Sequence, residues 1–195
     1  MTAENLIMFT SVGSVELIRQ TLDVDLLATI ARGCKYSAPP MKTAVANDCL
    51  VKGLLKSKHL SVFEFADVTF RVKCPIFVAR QLMRYRTGKY CEKSLRATGV
   101  ERRAEEKDIF DVHFNSCVDF YQALIAQGYR KEEARRVLPL DTPTAYYFKI
   151  DARNLLHLIE ERSTAATQAE TRETVAVMRD LVKLAAPRFA AVVEL

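Results

Sequence analysis

The sequence predicts an α/β or α+β fold, and three observations carry that reading. Strand-like stretches are interspersed with longer amphipathic helical stretches. The strands are too few for a long doubly wound sheet. There is neither a GxGxxG turn nor a P-loop, so any dinucleotide must bind outside a Rossmann unit. At 195 residues and 49% hydrophobic, the chain is expected to form one globular domain over residues 1–195 with a sizeable core.

The elements follow in order. Asn5 to Thr10 reads as a short strand. Asp23 can cap a helix running to about Cys34, with Leu26, Leu27, Ile30 and Ala31 on its apolar side. Pro39-Pro40 breaks the chain. Thr43 starts a second helix to about Ser57, with Val45, Cys49 and Leu50 inward. A polar turn holds His59, and Phe63 to Val72 has the period-two pattern of a strand. Pro75 suits the first turn of a helix carrying Val78 and Leu82, on which Gln81 and Arg84 share a face. Glu101 to Lys107 reads as a solvated, charged connection. Asp108 to Gln127 is a helix with a stripe of Phe110, His113, Cys117, Phe120 or Tyr121, and Leu124, which makes His113 a packed residue rather than a ligand. Gly128 ends it. A short helix over Lys131 to Arg136, a strand over Thr144 to Ile150 and a helix capped by Asp151 to about Glu161 come next. Thr167-Gln168-Ala169-Glu170 has capping-box form and opens the last long helix, which buries Val175, Met178, Leu181 and Val182.

Composition narrows the function. The net charge of +5 suits an anionic partner, either nucleic acid or a small phosphorylated molecule. The positive charge is spread along the chain rather than blocked in a tail, which favours local phosphate sites. Cys34, Cys49, Cys74, Cys91 and Cys117 are scattered and odd in number, which argues for reduced thiols in the cytoplasm. No Cys or His pair has ligand spacing, so no metal site is expected. No apolar run has the length of a membrane span, and Met1 to Thr10 lacks the form of a signal peptide.

The most informative stretch is Arg84 to Arg96, which gathers Arg84, Arg86, Glu92, Ser94 and Arg96 around a Gly turn. Planar guanidinium forks suit phosphate oxygens, and a carboxylate among them can hold them apart or read a sugar hydroxyl. The plain alternative is a solvated basic loop.

Several segments, taken together and in order, resemble the flavin-dependent thymidylate synthases. Arg84-Tyr85-Arg86, seven residues and then Ser94 resembles that family's Arg-His-Arg, seven residues, Ser. His59 to Glu64 resembles its His-x-x-x-Phe-Glu-His, ending in Phe65 rather than His. Pro75 to Gln81, Ala134 to Pro139, and Asp151 through Arg162 match further family segments, and Gln168 and Glu170 fit a Gln-x-Glu pattern. The matches extend from about Ala31 to Glu170. The departures are Tyr85 for the hallmark histidine, Cys91 for a polar residue, Ala97 for a tyrosine, and a short segment between Arg96 and Asp108.

The resemblance implies an α+β fold with a mainly antiparallel central sheet flanked by helices. It also implies reductive methylation of a uracil nucleotide at C5, taking dUMP to dTMP, with FAD as cofactor and methylenetetrahydrofolate and NADPH as co-substrates. The implied partners are a pyrimidine nucleotide monophosphate, folate and further copies of the chain, in a homotetramer with sites between subunits. Gln81, Arg96 and Arg135 would bind the nucleotide phosphate, the alternative for Arg135 being a surface pair with Glu132. Glu92 and Ser94 would hold the sugar and base, Ser94 by orientation because no base stands beside it in sequence. Arg162 would polarise the uracil. Arg84, Tyr85, Arg86 and Glu92 would contact FAD, with His59 and His157 near the flavin. Arg153 and His157 share a helix face, with Arg162 on roughly the opposite side.

Other readings stay open. Ala97 leaves space for a 2'-hydroxyl, so UMP is an alternative substrate, and a hydroxymethylated product is compatible. Cys91, near Lys89 and Arg86, has the setting of an activated nucleophile as well as of a small packed side chain. A non-catalytic nucleic-acid-binding protein is the reading from another class, without a recognisable recognition motif to support it.

Overall fold

A computed structural model describes residues 6–34 and 42–195. Asn5 and the Pro39-Pro40 break lie outside the described residues. Five strands, β1 (Leu6–Thr10), β2 (Gly13–Gln20), β3 (Asp67–Pro75), β4 (Lys89–Glu92) and β5 (Pro143–Asp151), form one sheet in the order β1-β2-β3-β5-β4. Every neighbouring pair is antiparallel. The helices are α1 (Val24–Gly33), α2 (Ala44–Lys56), α3 (Ile76–Leu82), α4 (Ile109–Ala126), α5 (Lys131–Ala134), α6 (Ala152–Arg162), α7 (Ala169–Ala185) and α8 (Pro187–Val192). The α+β expectation with an antiparallel sheet is therefore met.

The sheet is sided because its sequence alternates. On β3, Val68, Phe70, Val72 and Cys74 are buried. They face the core with Tyr146, Phe148 and Ile150 of β5. The register sets Phe70 opposite Phe148 and Val72 opposite Tyr146. Leu155 and Leu158 of α6 and Val175, Met178, Leu181 and Val182 of α7 complete this core and are fully buried. Arg71, Lys149 and the half-exposed Tyr147 lie on the other face.

Several elements differ from the sequence reading. The segment Ser61–Phe65 is a 3-10 turn, and the strand begins at Asp67 rather than Phe63. Phe63 is apolar because the turn buries it, not because it alternates with strand neighbours. Gly13–Gln20 is a strand that the sequence reading left out. On α2 the inward residues are Asn47 and Val51, while Val45 is 71% exposed and Cys49 is also exposed. Asn47 Nδ2 donates to Asp25 Oδ1 at 2.7 Å, which turns that face towards α1. On α4 the buried face is Phe114, Asn115, Val118 and Tyr121. Phe110, His113 and Phe120 are exposed, so His113 is not packed in the core. Thr167 does not form a capping box: α7 starts at Ala169, with Gln168 as its N-cap and no side-chain cap bond. The stretch from Glu101 to Lys107 is not simply solvated either. Arg103 pairs with Asp111 at 2.5 Å and Asp141 at 2.6 Å, and its guanidinium lies 4.4 Å over the Phe114 ring.

The caps read from the sequence at Asp23 and Asp151, and the helix starts at Thr43 and Asp108, all accept backbone N–H groups of the first turn. Gly128 adopts φ +92° after α4, as a left-handed helix end requires. The chain's end is tied back to its first helix. Arg188 binds both carboxylate oxygens of Asp25, at 2.8 and 2.9 Å, and holds that carboxyl down to about 2, helped by Asn47. A depressed carboxylate contributes stability above its ordinary range and loses it as pH falls through its folded value. Arg188→Leu is therefore expected to lower the melting temperature at neutral pH. The gap to wild type should close as pH falls from about 4 to about 2. A gap that persists across that window would count against the assignment.

Candidate active site

The stretch from Arg84 to Arg96 is half turn and half strand. The helix α3 ends at Leu82, and β4 pairs with β5, setting Lys89 opposite Lys149 and Glu92 opposite Tyr146. Tyr90 fixes the turn between them. Its hydroxyl lies 2.8 Å from the Leu82 carbonyl and 2.9 Å from the Tyr85 carbonyl, and donates to this pair. Its ring stacks on Phe148 at 4.9 Å with an interplanar angle of 8°. Burial pushes the Tyr90 phenol up to about 12, so it stays a donor. Gly88 is required by close approach: a Cβ there would stand 2.4 Å from Phe148 Cε2 and 2.8 Å from the Tyr90 hydroxyl.

One group of side chains gathers where this turn meets the end of α6. Tyr85 is only 8% exposed, and its hydroxyl donates to Glu161 Oε2. Glu161 Oε1 lies 3.4 Å from His157 Nε2. The Tyr85 and His157 rings meet edge-on at 6.1 Å. The Arg162 guanidinium carbon lies 5.5 Å from the centre of the Tyr85 ring. Arg162 Nε is buried without a hydrogen-bond partner. Burial, and then the bond to Glu161, raise the Tyr85 phenol well above its ordinary value. The same bond, received from Tyr85, lowers the Glu161 carboxyl. His157 and Arg162 thus converge on one ring instead of serving opposite surfaces. The long arginine side chain at the helix end spans the angle that residue spacing alone puts between them. Arg153 goes elsewhere, pairing with Glu64 at 2.5 Å. Beside this group, Gln81 Nε2 donates to Gln168 Oε1, and the fully buried Thr171 donates to Gln81 Oε1 at 3.0 Å.

A second group forms along β4 and α5. Glu92 Oε1 accepts from Thr144 Oγ1 at 2.7 Å. Ser94 caps a turn: its Oγ accepts from the Arg96 N–H at 3.2 Å, and its carbonyl accepts from Thr98 Oγ1 at 2.8 Å. Arg96 binds Glu132 through Nε at 2.9 Å and Nη2 at 2.6 Å. Glu132 also takes Arg130 at 2.8 Å. The carboxylate that the sequence offered to Arg135 is therefore shared by Arg96 and Arg130, and Arg135 is exposed. No hydrogen bond or ion pair among the described residues joins the two groups. His59 is exposed beside Lys58, which has φ 58°. Cys91 is exposed on β4.

Arg84 and Arg86 are exposed and make no ion pair among the described residues. Flanking the buried Tyr85 in sequence, they offer exposed donors that suit the phosphates of a cofactor. The sequence reading missed Glu161, Tyr90 and Thr171 as members of this framework. A carboxylate immediately before Arg162 was the available signal for the first. Nothing local marked the other two.

The fold has a solved counterpart. A UMP/dUMP methylase, PolB from Streptomyces cacaoi, bound with 5-Br dUMP, superposes with a TM-score of 0.80, covering 91% of this chain and 93% of that one at 24% identity. At that identity the likeness establishes the architecture. The family described as thymidylate synthase complementing protein matches residues 16–188. A flavin-dependent thymidylate synthase of Treponema pallidum is 32% identical over 176 residues, 75% of this chain and 58% of the relative. One from Thermus thermophilus is 30% identical over 199 residues, 90% of this chain and 73% of the relative. The chain belongs to the flavin-dependent thymidylate synthase family. The chain spans 57–58% of the length of the Treponema pallidum enzyme and of those of Wolbachia pipientis and Anaplasma marginale. Among the described residues, no helix is long and apolar enough to cross a membrane.

Proposed function

We propose that residues 1–195 form a catalytic domain that methylates C5 of a uracil nucleotide in the cytoplasm, taking dUMP to dTMP. FAD would be the cofactor, with methylenetetrahydrofolate and NADPH as co-substrates. The observation that carries this reading is Arg162, whose buried Nε has no hydrogen-bond partner among the described residues and whose guanidinium lies against the ring of Tyr85.

Arg84 and Arg86, exposed and without ion pairs among the described residues, would hold the phosphates or adenine of FAD. Tyr85, Glu92, His157 and His59 would complete its surroundings. Bound FAD would supply the reducing chemistry. The protein groups bind and orient. Gln81, already oriented by Thr171, would present its amide N–H groups to the nucleotide phosphate, and Arg96 and Arg135 would neutralise it. Arg96 must leave Glu132 to do so. Arg96 itself is exposed, and Glu132 would keep Arg130 as a partner after the exchange. Glu92 and Ser94 would hold the sugar and base. Arg162 would stabilise charge developing on the uracil oxygens as C6 is attacked.

The two separate groups of site residues favour a homotetramer in which one copy supplies Gln81 and Arg162 and another supplies Ser94 and Arg96. A second reading, with UMP as substrate, rests on Ala97. It is small and exposed next to Arg96 and leaves room for a 2'-hydroxyl.

The test is release of tritium from 5-labelled dUMP and UMP with FAD, NADPH and methylenetetrahydrofolate present. Release from dUMP is expected. Release from UMP alone would transfer the assignment to the ribonucleotide. A protein that shows no flavin absorption after FAD is added, and releases no label, overturns the enzymatic reading.

A further inference from the structure

Glu161 and Arg162 are adjacent at the end of α6 and carry opposite charges, yet they form no ion pair. Both carboxylate oxygens of Glu161 are engaged elsewhere. One accepts from the Tyr85 hydroxyl and the other lies 3.4 Å from His157 Nε2. The Arg162 guanidinium lies over the same Tyr85 ring, its Nε buried and unpartnered. The two opposite charges therefore both meet Tyr85, the carboxylate through a hydrogen bond and the guanidinium across the ring. A phenol suits this place because it donates a strong hydrogen bond to a carboxylate without adding a charge of its own. Without that donor, the carboxylate can turn to the nearest guanidinium.

We propose that Glu161 is a positioning residue: held by Tyr85 and His157, it ties the turn after α3 to the end of α6 and leaves the Arg162 guanidinium without a direct carboxylate partner, open to an anionic ring. This rests on the reading of Arg162 as the group that meets the uracil. A carboxylate paired with Arg162 would occupy the donors that the nucleotide needs and cancel the charge it meets. Tyr85 and Glu161 are thus a matched pair, and removing the phenol alone does more harm than removing the phenol and the carboxylate charge together.

The experiment measures binding of two probes to the FAD-loaded protein by calorimetry: dUMP and its 6-hydroxy derivative, whose ring is an anion at neutral pH. The affinity ratio reports the free charge on Arg162. Wild type is expected to prefer the anionic ring. Tyr85→Phe frees the carboxylate and is expected to cut that preference about tenfold. Tyr85→Phe with Glu161→Gln is expected to recover most of it, because the released side chain no longer carries charge. Glu161→Gln alone keeps an acceptor for Tyr85 and is expected to hold or raise the preference. A purely structural role predicts the reverse order, with the double variant no better than Tyr85→Phe. That order, an unchanged preference in Tyr85→Phe, or a fall in Glu161→Gln overturns the assignment while leaving the functional reading in place. A wild-type protein that binds neither probe overturns the functional reading, and this assignment falls with it.

Discussion

Arg162→Ala is expected to fold normally and to lose about 10²- to 10³-fold in kcat, the usual cost of removing one donor aimed at developing charge. The two halves of that expectation have separate grounds. Folding survives because the guanidinium satisfies little in the protein. Its Nε has no partner, and its contacts are the face of Tyr85 and the C-terminal end of α6. A cation over an aromatic ring contributes about 0.5–1 kcal/mol at a partly exposed site, and a cation at a helix C-terminus about 0.3–1 kcal/mol. Turnover falls because no other cation in the group meets the same ring. Arg162→Lys keeps the charge but not the planar fork, and should lie between wild type and alanine. Circular dichroism melting and single-turnover rates on each variant separate the two effects. Near-wild-type turnover in the alanine variant would refute the role.

Gly88→Ala should lower stability by about 1–3 kcal/mol and weaken FAD binding together, because the added methyl overpacks a filled site. The new Cβ would stand 2.4 Å from Phe148 Cε2. Phe148 is fully buried and stacked on Tyr90, so it has nowhere to retreat. The chain at residue 88 must move outward instead. That displaces Tyr85 and Arg86 on one side and β4 on the other. Thr87→Ala, at an exposed neighbour, is the control and should leave both quantities unchanged. Urea denaturation and flavin fluorescence titration read the two effects. A Gly88→Ala protein with wild-type midpoint and FAD affinity would show that the turn is slack.

What the sequence revealed, and what it concealed, follows from how local each signal was. The caps at Asp23 and Asp151 were legible because a capping side chain acts within its own first turn. The strand over β5 was legible because Tyr146, Phe148 and Ile150 alternate with solvent-facing neighbours. β2 was not, because its alternation slips at a bulge between Leu17 and Arg19. β4 was read as loop because its ladder partner lies more than fifty residues away and only Tyr90 in it faces the core. The stripe on α4 was misplaced because Phe110 and Phe120 are exposed while Phe114 is buried. Hydrophobicity alone does not say which phenylalanine is covered. In the candidate site, Arg162, Gln81 and the arginines of the turn became candidates through motif spacing. Glu161 escaped because its importance depends on Tyr85, a contact across seventy-six positions.

The Tyr90 hydroxyl has one further consequence. By donating to the carbonyls of Leu82 and Tyr85, it ties the end of α3 to the sheet before any ligand arrives. The conformational entropy of ordering this turn is therefore surrendered during folding rather than at binding. A ligand meeting Arg84 and Arg86 has only two side chains to immobilise, at roughly 0.5–1.5 kcal/mol each, and no backbone. The arginine-rich turn would then take up its ligand, and hold it, without the domain reorganising.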